Sequence, residues 1–123
     1  MRFMIFVKAT STSEAGVMPS QELFEAMGRY NQELIAAGVM QDGGGLRPSS
    51  KGVRVTFSGK DRTAHMGPFS STSELVSGYW IWTCKSLEEA ISWVKRAPNP
   101  MPESSVIEIR QFYELEDFAP PKE

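Results

Sequence analysis

The segment Arg2–Ala9, RFMIFVKA, constrains this chain more than any other stretch, because as a strand it is apolar on both faces. Phe3, Ile5 and Val7 fall on one side, Met4 and Phe6 on the other, since side chains alternate along a strand. Such a strand must be covered twice. A chain of 123 residues has material for one domain, so both covers are hard to supply from within.

The elements downstream can be read in order. After a polar loop ending at Pro19, SQELFEAMGRYNQELIAAG spaces Leu23, Met27, Tyr30, Leu34 and Ala37 at steps of three and four. That is the stripe of an amphipathic helix, with Ser20 suited to the N-cap and Gly38 to the left-handed stop. In VMQDGGGLRPSSKGVRVTFSG, the glycines Gly43 to Gly45 permit a bulge or sharp bend, RPSSKG predicts the loop of a hairpin, and VRVTF a strand. GKDR reads as a surface turn, AHMGPFSSTSEL as a corner, and SGYWIWTCK as an aromatic strand. SLEEAISWVKRAP opens with a capping box, Ser86 answered by Glu89, and its spacing buries Leu87, Ala90, Ile91 and Val94. SSVIEIRQFYEL is the last strand, and the tail 119–123 is expected to be loosely held.

Strand, helix, two or three strands, helix, strand is the order of a split βαβ unit. The expected fold class is therefore α+β and ferredoxin-like: an antiparallel sheet with two helices on one face. Met4, Phe6 and part of YWIW then lie on the open face. The simplest cover is a second copy, which predicts a homodimer through sheet faces.

A formal net charge of −2 does not suit general nucleic-acid binding. No apolar run reaches the length that spans a bilayer. Cys84 is the single cysteine, so no internal disulfide forms, which fits a cytoplasmic protein.

Several motifs together, GPF at Gly67 to Phe69, ELVSGYWIW, SLEEAISWVKRAPNP, IEIR, and YNQELIAAGVM with DGGGLRPS, resemble the YCII-related proteins. The nearer likeness is to the branch named for an Asp-Gly-Pro-Phe (DGPF) motif. The resemblance runs from Arg2 to about Phe118, and so predicts a single domain over residues 1–118. It implies a ferredoxin-like fold that dimerises into an α+β barrel. Founding members carry a His early in the first helix and an Asp near the end of the second. Here the first helix has no His and the second ends KRAPNP, so that dyad is missing. Met66 also stands where the motif has Asp, directly after His65.

The candidate site residues follow from chemistry. His65, the only histidine, titrates near neutrality and is a candidate acid–base group. Glu108 and Arg110 are two apart on the last strand and so share a face, where they can hold a polar ligand or shift each other's pKa. Asp42 and Glu108 are the other candidate acid–base groups, and Asp42 precedes three glycines that let backbone approach a ligand. Arg54 and Arg110 can fix an anionic group, Tyr30 stands roughly where relatives place their His, and Trp82 belongs to an aromatic stacking strand. Gly67, Pro68 and Phe69 read as a structural corner, with Phe69 filling the core or the dimer seam. One His and no clustered Cys give too few ligands for a metal, and no cofactor is expected. Two classes of function stay open. One is small-molecule binding in a cleft between sheet and helices, without catalysis. The other is a small cofactor-independent enzyme working by acid–base chemistry on a modest organic substrate.

Overall fold

The computed structural model describes residues 1–119. In chain order the elements are β1 (Arg2–Lys8), α1 (Ser11–Glu14), α2 (Gln21–Ala36), β2 (Met40–Gly45), β3 (Val53–Ser58), β4 (Asp61–Met66), β5 (Val76–Thr83), α3 (Leu87–Lys95) and β6 (Ile107–Gln111). The doubly apolar β1 takes the inside of a four-stranded sheet of order β2-β5-β1-β6. All its pairings are antiparallel. This is the ferredoxin-like split βαβ, α+β in class. Residues 120–123 of the expected loose tail lie outside the described residues.

Burial follows the alternation of β1. Phe3, Ile5 and Val7 meet Trp80, Trp82, Tyr30, Leu34 and Ala90 in one core. Tyr30 of α2 lies edge-on to Trp80 of β5 and to Trp93 of α3, at 5.9 and 6.5 Å, so both long helices cover the same face. Ser20 caps α2, its Oγ accepting from Leu23 N at 3.2 Å, and Gly38 ends it at φ +73°. Ser86 caps α3 by accepting from Glu89 N. The Glu89 carboxylate does not complete the expected box; it accepts instead from Lys85 N. The buried stripe of α3 is also rotated from the expected one. Ala90 is enclosed, Trp93, Val94 and Ala97 pack on the core, and Leu87 and Ile91 are exposed.

Three readings of the connecting segments are corrected. Gly43 to Gly45 form part of β2 rather than a bend. A Cβ on Gly43 would lie 2.8 Å from the Trp80 ring, so a bare strand lets the indole lie against it. RPSSKG is not a hairpin loop, because β2 and β3 belong to different sheets. The hairpin is β3–β4, turned at Gly59 and Lys60, and all twelve strand residues are exposed. Finally, α1 is a single helical turn in the expected loop, capped reciprocally by Thr10 and Ser13. Four residues are too few to show apolar periodicity.

The registers also lay out the open face. Asp42, Ile81, Met4 and Arg110 form one row across the four strands; Gly44, Tyr79, Phe6 and Glu108 form the next. The middle of each row is apolar and half-buried, and the charges stand at the two edges. β1 and β2 finish, and β5 and β6 begin, at the same end of the sheet, which is also where the hairpin leaves it.

Candidate functional site

At that end the chain forms an open cleft of about 450 Å³. Backbone pairing brings its walls together: Lys8 N donates to Val106 O and Ala9 N to Leu75 O, at 3.0 and 2.9 Å. Hydroxyls dominate the lining, from Thr10 and Ser11 after β1, Thr72 and Ser73 before β5, and Ser104 and Ser105 before β6. Three charged groups join them, Lys8, Glu103 and Glu108. The Lys8 ammonium is 4.0 Å from Glu108 Oε1, and Arg110 Nη1 donates to Glu108 Oε2 at 3.3 Å.

Glu103 is held through one of its two carboxylate oxygens. Its Oε2 accepts from Thr12 Oγ1 at 2.6 Å, and its Oε1 is enclosed with no hydrogen-bond partner among the described residues. The hydroxyls of Thr10 and Thr12 keep its carboxyl below the ordinary carboxylate range. Asn99 fixes the loop that carries it: Nδ2 donates to Glu103 O, while Oδ1 accepts from Met101 N and from Ser105 Oγ. The cleft therefore offers one ammonium, a carboxylate kept ionised, and a wall of groups that both donate and accept. Among the described residues no three His, Cys, Asp or Glu gather as metal ligands. No helix among them is long and apolar enough to cross a membrane.

Of the residues singled out from the sequence, Glu108 lines this cleft and Arg110 reaches it through Glu108. Asp42 is on the opposite edge of the sheet, three strand spacings or roughly 14 Å away. There its Oδ1 accepts from Gly43 N at 2.8 Å and its Oδ2 from Tyr79 OH at 3.3 Å. His65 and Arg54 face each other across the hairpin, away from the cleft. Tyr30 and Trp82 present no face to a ligand. Tyr30 is nearly enclosed and donates to Trp93 O, and Trp82 is 0% exposed in the core. Burial pushes the Tyr30 hydroxyl pKa up.

The Gly67–Phe69 corner anchors the hairpin instead of filling the core. A Cβ on Gly67 would lie 1.8 Å from Ser49 O, so only glycine fits. Gly67 N donates to Gly52 O, and Phe69 N to Ser49 Oγ at 3.0 Å. Ser49 is in turn held by the Glu14 carboxylate, which accepts from both its N–H and its hydroxyl. The Gly67–Pro68 bond is cis. Phe69 is half-buried beneath Arg54, whose guanidinium lies 3.9 Å from the ring centroid.

Sequence reasoning missed Lys8, Thr10 and Glu103. The signal at Thr10 was the Thr-x-x-Ser spacing of a capping pair. Nothing local marks Glu103, which meets Thr12 only because β1 and β6 are neighbours.

A ferredoxin-like α+β sheet with a hairpin inserted before its third strand, and a hydroxyl-lined cleft at the same end, defines the class of protein. The model of the YCII-related domain matches residues 1–116, and the chain belongs to that family. No curated protein matches it. Among solved structures it is similar to TftG, the 5-chloro-2-hydroxyhydroquinone dehydrochlorinase of Burkholderia phenoliruptrix AC1100, in complex with 2,5-dihydroxybenzoquinone. The two are 18% identical, the match covers 94% of this chain and 98% of that one, and the TM-score is 0.50. At that identity the likeness is one of fold.

Proposed function

We propose that this protein binds a small, oxygen-rich organic molecule in the cleft at the end of its sheet, as a YCII-related unit over residues 1–118. The observation that carries this reading is the pairing of the Lys8 ammonium with a wall of hydroxyls in one depression. An ammonium and hydroxyls suit a molecule bearing several hydroxyl or carbonyl oxygens. The fold-sharing dehydrochlorinase was captured with a compact ring of that kind, which makes 2,5-dihydroxybenzoquinone a sensible first probe. The alternative, acid–base catalysis without a cofactor, would fall to Glu108 beside Lys8.

The Gly67–Phe69 corner favours the DGPF branch, with Met66 in place of its Asp. Lone Cys84 fits a cytoplasmic location. The half-buried row of Met4, Phe6, Tyr79 and Ile81 favours a homodimer through the open sheet faces, closing the α+β barrel. A two-fold axis along the strands would set the Asp42 edge of one copy beside the Arg110 edge of the other.

Calorimetric titration with 2,5-dihydroxybenzoquinone tests the binding reading. Saturable binding is expected, weakened about tenfold in Lys8→Gln, as loss of one charge-assisted contact implies. Binding that Lys8→Gln leaves unchanged would place the ligand elsewhere.

A further inference from the structure

Among the described residues, two largely apolar surfaces at the same end of the molecule lack a partner. One is the β3–β4 hairpin. Val53, Val55, Phe57, Ala64 and Met66 line one of its faces, with Phe57 70% and Met66 75% exposed, and Arg62 at the tip stacks its guanidinium 4.4 Å from the Phe57 ring centroid. A two-stranded hairpin with nothing packed on it is marginal in water. The other is a groove of about 240 Å³ between α3 and β6, where Val94, Ala97, Pro98, Pro100 and Ile107 form the apolar wall and Asn99 and Ser105 the polar rim. Val106, 62% exposed, stands next to it in the chain. Within one chain the hairpin leaves from the β2 side and the groove lies beside β6, with β5 and β1 between.

We infer that the hairpin is an arm that seats on a second copy of this chain, its apolar face over that copy's groove. The inference rests on the sheet-face dimer proposed above. A two-fold axis along the strands keeps the hairpin ends of both copies together and puts each β2 edge beside the other's β6 edge. The arm of one copy then stands at the β6 corner of the other and passes round that edge to the α3 side, where the groove opens.

Area points to the same occupant. Strands of five to eight residues, four abreast, give the open face a flat footprint on the order of 400 Å². A stable interface takes about 800 Å² from each partner. A hairpin of six-residue strands offers a face roughly 20 Å by 10 Å. Each copy gives one arm and receives one, which adds on the order of 400 Å² per copy by the same strand dimensions. The sheet face by itself falls short, and the arms supply most of the difference.

Photo-crosslinking in the full chain, with native mass spectrometry alongside, tests this. Benzoylphenylalanine replaces Phe57 in one sample and Val55 in a second; both are exposed positions that the core does not use. The same probe at Leu115, at the opposite end of the sheet, is the control. Mixing isotope-labelled with unlabelled chains identifies links between copies. The expected result is a dimer in which probes at 55 and 57 attach to residues 94–107 of the other copy, while the Leu115 probe does not. A dimer in which neither hairpin probe reaches that segment of the other copy overturns the arm and leaves the sheet-face dimer standing. A monomer overturns both.

Discussion

Cys84 shows how one enclosed side chain ties stability to pH. It is 3% exposed at the end of β5, and burial, with Glu89 adding to it, pushes its thiol pKa up to about 11 from 9.0. The folded protein thus keeps a proton that the unfolded chain releases above pH 9. A raised pKa contributes stability that is fully present below the unfolded value and is lost as pH climbs through the folded one. The loss falls between pH 9 and 11 and is on the order of 2 kcal/mol for a shift of this size. Tyr30, shifted in the same direction by its own burial, steepens the decline at its upper end. Denaturant unfolding at pH 8, 9 and 10 should show stability falling, and Cys84→Ala should flatten the first part of that fall. An equal slope in the variant would mean that the thiol does not carry it.

Among the elements, the hairpin is the one whose seat depends on a single residue. Its base is clamped where Gly67 crosses Ser49, and the clamp reaches the body through Glu14. Because the clashing atom is a backbone oxygen, Gly67→Ala can be accommodated only by moving the chain. Overpacking of that kind costs about 1–3 kcal/mol. Unfolding by denaturant should register that loss, whereas Gly45→Ala, with open space around its position, should lie within about 0.5 kcal/mol of the parent beyond strand propensity. The reason for glycine at 67 could not be read from the sequence, since Ser49 is far from it along the chain. The same holds more widely. Apolar alternation in β1 and the three-four spacing of α2 are local, and each placed its element correctly. Gly43 to Gly45 looked like a bend because strands avoid glycine; the cause of their use, the Trp80 ring, comes from β5. Alternation alone put Glu108 and Arg110 on one face of β6; that Glu108 lines the cleft follows from where β6 sits in the sheet. Lys8, Thr10 and Glu103 become one site only when β1 and β6 pair.

For the molecule as a whole, the decisive question is what covers Met4, Phe6, Tyr79 and Ile81. The charges at the edges of that face allow a test of both the partner and its orientation. With the two-fold axis along the strands, Asp42 of one copy meets Arg110 of the other at each edge. With the axis across the strands, each edge would meet its own counterpart, Asp42 opposite Asp42. Among the described residues Arg110 makes an exposed pair with Glu108, worth under about 1 kcal/mol, so changing it should spare the fold. Arg110→Asp and Asp42→Arg should each weaken the dimer, by roughly tenfold or more for like charges forced together at a partly desolvated edge. The double variant Asp42→Arg with Arg110→Asp restores opposite charges at both edges and should regain most of the lost affinity. Sedimentation equilibrium across a concentration series reads all three. If the axis instead ran across the strands, each single reversal would still leave like charges facing at both edges, and the double variant would recover nothing that the singles lack. Recovery in the double therefore selects one axis, and that is the axis that carries each hairpin over the neighbouring β6 corner.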